Sequence, residues 1–218
     1  MCKWYRDNEV YITPEERLKI KDARVLIIGT HLGGVIAECA LRLGFESITL
    51  VDENVIDYTG VPIRKMELKL EAIETLVADF EIVINAHSFD SDITFEIDDK
   101  CQKSNVPVIH PFAIGWLGVV TIVSPDGVSL RSLGFNWNDF DLKFAKYIAN
   151  YYRYWGIPKD WLERTIETYK SKPQAFSLNQ TSVATWLVGG MTTNILFDIT
   201  VGNDYQKFPY LYLSTIKN

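Results

Sequence analysis

The pattern of apolar and polar positions predicts short buried strands and amphipathic helices in the first half of the chain. An apolar run at 25–28 is followed by glycines, by apolar residues at helical spacing from 36 to 43, and by a second apolar run at 48–51 that ends at Asp52. Short apolar runs bounded by turn signals are typical of buried strands, and spacings of four and three are typical of a helix. The order therefore predicts a strand–turn–helix–strand unit of a Rossmann-like α/β fold, with a mostly parallel sheet and helices on both faces.

The same patterning predicts further elements on either side of this unit. Thr13, Pro14 and Glu16 have the spacing of a helix cap, a first-turn proline and a capping-box acid, so we expect a helix to about Lys21. The other predicted elements of this half are a strand at 63–70, a helix at 71–79, a strand at 82–86, a helix at 92–104 and strands at 106–110 and 118–124.

The second half of the chain is helical and rich in aromatic residues. Helices are predicted at 139–154 and 158–170, then a buried helix at 181–200 and an edge strand at 210–215. In the first of them Phe144, Ile148 and Tyr151 or Tyr152 share one face. Core packing is the favoured interpretation of that face, and an aromatic groove for a substrate or partner is the alternative.

These elements indicate one domain over residues 1–218. Its parts are an N-terminal arm and helix at 1–24, a Rossmann-like core at 25–133, a helical insert at 134–175, and a closing helix and edge strand at 176–218.

Composition and charge exclude several classes of function. Hydrophobic residues make up 47% of the 218 residues and charged residues 23%, as in ordinary globular proteins. A net charge of −6 without a long basic run argues against a nucleic-acid surface. No apolar run reaches the ~18 residues of a membrane span and the N-terminus lacks a signal-peptide core, so we expect a cytoplasmic protein that does not enter membranes.

The cysteines predict neither zinc nor disulfide chemistry. Cys2, Cys39 and Cys101 are isolated in the sequence, with no C-x-x-C pair among them. Cys39 and Cys101 fall inside predicted helices and are expected to be buried.

The glycines after the first strand carry the strongest functional signal. Gly29, Gly33 and Gly34 begin a helix, and Asp52 follows at the end of the next strand, where a nucleotide ribose needs an acceptor. This predicts a dinucleotide- or ATP-binding unit, with Gly34 setting the helix–strand packing. The middle position of the G-x-G-x-x-G fingerprint is His31, which either crowds the phosphates or offers them an additional donor.

Several segments in this order resemble the ThiF/MoeB/HesA family, the bacterial relatives of ubiquitin-activating E1 enzymes. The similarity covers nearly the whole chain. The segments that carry it are KIKDARVLIIG, GTHLGG, SITLVDENVID, EIVINA, NVPVIHPFAIGWLGVVTIVSP and TSVATWLVGGMTTNILFDITVGN.

The resemblance implies an adenylyltransferase that binds ATP and Mg²⁺ and activates the carboxylate of a peptide or small protein, usually as a homodimer. Arg6 would be a catalytic cation, often supplied across the dimer, and Asp90 would be catalytic and the metal ligand. The nucleotide-binding residues implied by the resemblance are Gly29, His31, Gly33, Gly34, Asp52 and Asn54.

The chain also departs from the family pattern. The link from Asp57 to the predicted strand at 63–70 is too short for the family's arginine- and lysine-bearing helix. Either that helix is deleted, or a stretch near Gly60 is missing from the sequence. Ser88 occupies the expected place of the metal-binding aspartate, with Asp90 two residues on. No cysteine follows Cys101 in the sequence, so the thioester-transferring cysteine of full E1 enzymes has no counterpart there.

Two alternatives remain open on these grounds. One is a pseudoenzyme or partner subunit that keeps the fold but has lost nucleotide binding. The other is a nicotinamide- or flavin-dependent oxidoreductase. It is the weaker of the two, because the sequence shows no paired histidine and acid beside the sheet.

Overall fold

Strands and helices alternate in the first half of the chain in the computed structural model, which describes residues 10–52, 70–88, 91–134, 140–171 and 180–217. The helices are α1 (Pro14–Asp22), α2 (Thr30–Leu43), α3 (Leu70–Val77), α4 (Ile93–Lys103), α5 (Phe140–Tyr154), α6 (Asp160–Ser171) and α7 (Ser182–Val201), with a short 3₁₀ helix at Leu130–Leu133. The strands are β1 (Val25–Ile28), β2 (Ile48–Val51), β3 (Ile82–Asn85), β4 (Val108–Ile114), β5 (Leu117–Val123) and β6 (Tyr212–Thr215).

The described strands form one six-stranded sheet in the order β2-β1-β3-β4-β5-β6. The first four of these are parallel, β5 pairs antiparallel with β4, and β6 pairs antiparallel with β5. Successive side chains of β1 point to opposite faces: Ile27 packs in one core cluster with α2 and α7, and Leu26 in another with α3 and α4. The predicted Rossmann-like sheet with helices on both faces is thereby confirmed.

Most predicted elements are present within one to three residues of their expected bounds. The α1 cap is confirmed, since Glu16 N donates to Thr13 Oγ1 at 3.3 Å and Thr13 N donates to Glu16 Oε2 at 2.8 Å. Strand β4 runs to Ile114, farther than predicted, because its second half pairs with β5 in a hairpin. The predicted strand at 63–70 and the short link before it lie outside the described residues, except Leu70, which belongs to α3. The four-part division of the chain stays a prediction.

The aromatic face of α5 packs into the core. Phe144, Ile148 and Tyr152 are buried, whereas Tyr151 is half-buried. The Phe144 ring centroid lies 4.3 Å from that of Phe112 on β4. Core packing, the favoured interpretation of this face, is confirmed.

Helix α7 is not buried all round, contrary to the prediction. Trp186, Gly190 and Asn194 form an exposed stripe at spacings of four residues. The opposite face carries Gly189, where a Cβ would lie 2.9 Å from Val35 Cγ1 on α2. The sequence of α7 is apolar on every face, so it does not show which face the neighbouring elements cover.

Alanine substitutions at the adjacent Gly189 and Gly190 of α7 should change the free energy of unfolding in opposite directions. Gly189→Ala forces a methyl group against α2 and should lower the free energy of unfolding by about 1–3 kcal/mol. Gly190→Ala meets no atom within 4 Å, so it should raise that free energy by about 0.5–1 kcal/mol through helix propensity. Urea unfolding of both variants measures the difference. Equal effects would show that α7 does not pack against α2 through Gly189.

Candidate functional site

A cavity of about 830 Å³ opens at the carboxyl ends of the parallel strands. Strands β2 and β3 lie on opposite sides of β1, so the chain reverses its direction across the sheet after β2. The cavity therefore lies at the topological switch point, where α/β proteins bind ligands. The residues that line the cavity are Gly29, Thr30, His31, Leu32, Asp52, Ala86, His87, Ser88, Pro111, Phe112, Ala113, Ile114, Asp141, Gln180, Ser182, Thr185 and Trp186. Gly29, His31 and Asp52 of the predicted site are therefore brought together.

Gly29 occupies a position that only glycine fits. Its φ is +98°, and its N–H donates to the Val51 carbonyl at 2.8 Å. A Cβ at this position would lie 2.6 Å from the carbonyl oxygen of Ala86, at the end of the neighbouring strand β3. Glycine here allows the ends of β1 and β3 to meet at the cavity floor.

The predicted glycine turn is helical from its second residue. Helix α2 begins at Thr30, so Gly33 and Gly34 lie inside it, buried, and neither lines the cavity. An added Cβ on Gly33 would lie 2.7 Å from Ile27 Cγ2 and 3.2 Å from Leu50 Cδ1. The predicted phosphate-cradle role of Gly33 and Gly34 therefore stays a prediction, and Gly33 makes a close helix–strand approach.

Asp52 binds the N-terminus of α2. Its Oδ2 accepts hydrogen bonds from both the backbone N–H and the hydroxyl of Thr30, each at 2.5 Å. A carboxylate at this end of a helix is stabilised by the helix dipole and by N–H groups that have no acceptor inside the helix. Asp52 is half-buried and lines the cavity, so its predicted contact with a ribose stays a prediction that this position allows.

His31 stands at the cavity mouth. It is the second residue of α2 and is exposed, and its Nδ1 lies 3.3 Å from Nε2 of Gln180. Gln180 in turn pairs with Gly115 at the β4–β5 turn. The ring is thus held toward the segment that leads into α7.

The three predicted residues Arg6, Asn54 and Asp90 lie outside the described residues. Ser88, which has the expected place of the metal-binding aspartate, lines the cavity, and its carbonyl accepts a hydrogen bond from the Thr94 hydroxyl at 2.8 Å. Among the described residues, no group of three or more histidine, cysteine or acidic side chains could hold a metal ion. The Mg²⁺ expectation therefore depends on Asp90.

The described cavity wall is acidic. Asp52 and Asp141 are its two carboxylates, and none of the lining residues that the structure describes is lysine or arginine. Sequence reasoning did not single out Asp141, Trp186 or Gln180. Trp186 lies in the segment 181–203 that resembles the family's closing helix, whereas Asp141 has no sequence signal beyond its place at the start of a predicted helix.

A buried histidine–acid pair lies below the cavity, which corrects the expectation that the chain has none. His110 Nε2 on β4 lies 3.0 Å from Asp98 Oδ2 on α4, a close contact of two buried polar atoms without the alignment of a hydrogen bond. Asn85 Nδ2 donates to Asp98 Oδ1 at 3.1 Å. His110 and Asp98 are at most 1% exposed and neither lines the cavity, so they cannot reach a nicotinamide or flavin there.

Neither described cysteine is poised for nucleophilic chemistry. Cys101 is buried as predicted, and burial raises the pKa of its thiol. Cys39 is only half-buried, against the prediction, although it lies at the α2–α7 contact, where a Cβ on Gly189 would come within 3.3 Å of its Sγ. Partial burial raises its pKa as well. Both thiols are therefore protonated near neutral pH.

The sheet order and the cavity at its switch point define a Rossmann-like α/β protein. Its sequence matches no protein-family profile and no curated protein. Among solved structures, PaaA superposes with a TM-score of 0.59 at 15% identity, over 94% of this chain and 73% of its own. Escherichia coli MccB with ATP gives 0.59 at 10% identity, over 93% of this chain and 66% of its own.

A second structure of MccB extends this comparison. The microcin C7 biosynthetic enzyme MccB in complex with N-formylated MccA has a TM-score of 0.59 at 11% identity. The chain covers 66% of that protein, just under two thirds of its length. At such identities the similarity shows the fold alone, so the resemblance to the ThiF/MoeB/HesA family holds at the level of the fold. Within the described residues, no helix has both the length and the apolar character needed to cross a bilayer.

Proposed function

We propose that this chain is an ATP-dependent enzyme that activates the carboxylate of a peptide or small protein as an adenylate. The observation that carries the proposal is the cavity at the switch point, where Gly29, Asp52 and the N-terminus of α2 meet. Its volume of about 830 Å³ lies in the range of ligand sites. The fold is shared with MccB, which has been solved with ATP and with MccA.

Different residues around the cavity can contact the ribose and the phosphates of a nucleotide. Asp52 can accept hydrogen bonds from ribose hydroxyls through its carboxylate while it remains bonded to Thr30. The N-terminus of α2 adjoins the cavity, and a helix N-terminus favours phosphate groups. Exposed His31 can donate to a phosphate from its ring.

Charge on the phosphates has to be neutralised by groups beyond the described lining. When the carboxylate attacks the α-phosphorus and pyrophosphate leaves, added negative charge develops on the phosphoryl oxygens, and cations stabilise that charge. In the proposal Arg6, from the same chain or from a second copy in a homodimer, supplies one cation. Asp90 holds Mg²⁺, which would supply Lewis-acid stabilisation when bound. Asn54 completes the ribose contacts.

A second candidate is a partner subunit that has lost nucleotide binding. Two observations favour it: Asp52 is already engaged by Thr30, and no lysine or arginine is among the described lining residues. This candidate predicts that the chain alone does not bind ATP. NADH competition tests the oxidoreductase alternative in the same assay.

Asp52→Asn should weaken MgATP binding on the order of tenfold, since it replaces a charge-assisted hydrogen bond to the ribose with a neutral one. Thr30→Val is the matched control. It removes one of the two bonds that hold Asp52 but keeps the carboxylate, so MgATP affinity should stay within about twofold while stability falls by about 1 kcal/mol. Calorimetry measures affinity, and thermal unfolding confirms that both variants fold.

Pyrophosphate exchange tests the reaction itself. Exchange of labelled pyrophosphate into ATP should depend on an added peptide with a free carboxylate. If wild-type protein neither binds MgATP nor supports exchange with any carboxylate, the enzyme proposal is wrong and the partner-subunit candidate stands. If Thr30→Val weakens binding as much as Asp52→Asn, the loss in Asp52→Asn is no evidence for a contact between Asp52 and the nucleotide.

A further inference from the structure

The cavity extends beyond the nucleotide corner along β4 toward α5 and α7. On this far side the wall carries the aromatic rings of Phe112 and Trp186 and one acid, Asp141. None of the described lining residues is lysine or arginine. The far side therefore combines a carboxylate with aromatic surface.

Aromatic packing fixes the position of Asp141. It is the second residue of α5, and the residue before it, Phe140, is fully buried. The ring centroids of Phe140 and Phe144 lie 6.3 and 4.3 Å from that of Phe112. Since Phe112 itself belongs to the cavity wall, these contacts hold the start of α5, and with it Asp141, against the cavity. A preorganised carboxylate discriminates between ligands better than a mobile one.

We propose that Asp141 selects substrates that carry a cationic side chain, so that the activated carboxylate belongs to a basic peptide. A lysine or arginine on the far side would pair with Asp141, and its methylene stem or guanidinium plane would lie against Phe112 or Trp186. The net charge of −6 acts in the same direction by attracting basic peptides. The inference rests on the proposed function only in taking a peptide carboxylate as the group that is activated.

Asp141 also lies in the first turn of α5, where any acid interacts favourably with the helix dipole. Asp160 provides a matched control for that role. It is the first residue of α6, in the same helical region, and it is exposed and does not line the cavity. Loss of Asp160 should affect only local helix stability.

Two pools of acetylated tetrapeptides with free C-terminal carboxylates test the proposal. One pool contains arginine at one varied position, and the other contains citrulline, its neutral isostere, at the same positions. Equilibrium dialysis with mass spectrometry measures how strongly the wild-type, Asp141→Asn and Asp160→Asn proteins retain each peptide. The wild-type protein should retain the best arginine peptides on the order of tenfold more than their citrulline partners. Asp141→Asn should reduce that ratio to about one, and Asp160→Asn should preserve it.

Binding and catalysis fail separately in this design. Equal retention of the two pools by wild-type protein, or a ratio that survives Asp141→Asn, overturns the selectivity proposal. A ratio lost equally in Asp160→Asn also overturns it, because helix electrostatics would then be the cause. Pyrophosphate exchange and MgATP calorimetry on the same samples test the adenylation proposal. If the protein prefers arginine peptides but does not catalyse exchange, only the adenylation proposal is refuted.

Discussion

Gly29→Ala should lower the free energy of unfolding by about 4 kcal/mol, with overpacking and backbone strain contributing about 2 kcal/mol each. Both contributions arise at the same atom. The backbone at Gly29 has φ +98°, and the new Cβ would lie 2.6 Å from the Ala86 carbonyl oxygen and 2.9 Å from the backbone nitrogen of His87. Backbone atoms cannot move aside as the end of a side chain can, so β1 and β3 would have to separate.

Gly156→Ala separates the two contributions. Gly156 has a φ of +71° after the end of α5, and a Cβ there would meet nothing within 4 Å. Its replacement should therefore show strain alone, about 1–2 kcal/mol. Urea unfolding of both variants gives the comparison. If the two losses are equal, the close approach of β1 to β3 at the cavity floor does not exist as described.

Local sequence patterns predicted the elements because their causes are local. The capping box of Thr13 and Glu16, the four-residue apolar strands and the glycine after Leu43 each depend on neighbours within a few positions. The edge strand β6 followed from alternation, and its four residues are all half-buried. The cavity position followed from Gly29 and Asp52, which come directly after β1 and β2, since parallel strands end at the same edge.

The details of the site depend on contacts between distant residues, which local patterns do not contain. The bond between Thr30 and Asp52 joins positions 22 apart and lets α2 begin inside the predicted turn. Gly33 meets the sheet because the register of α2 on β1 turns that position toward Ile27. Asp141 reaches the cavity through the packing of Phe140 and Phe144 of α5 on Phe112 of β4.

The pair of Asp98 and His110 is another such contact, and disrupting it should have a large effect. Asp98→Leu should lower the free energy of unfolding by about 3–5 kcal/mol, because it leaves His110 buried beside an apolar group and takes an acceptor from Asn85. Asp99→Ala is the matched control on the same helix. Asp99 is 45% exposed and pairs with Arg131 at 3.3 Å, so its loss should cost about 1 kcal/mol or less.

A double-mutant cycle tests whether the two buried groups interact. His110→Leu alone leaves the Asp98 side chain buried without its histidine partner and should also be strongly destabilising. Replacing both residues with leucine leaves no such buried polar group. The double variant should therefore be at least about 1 kcal/mol more stable than the sum of the single losses predicts. Additive losses in urea unfolding would contradict an Asp98–His110 interaction.

The folded variants of this cycle also decide between a structural and a chemical role for the pair. His110 and Asp98 do not line the cavity, although Pro111 and Phe112, which follow His110 in β4, do. A structural role predicts that the double variant, once folded, keeps the wild-type MgATP affinity and peptide-dependent exchange. Exchange lost at unchanged affinity and stability would instead place the histidine–acid pair in the reaction, with a route for protons from β4 into the cavity.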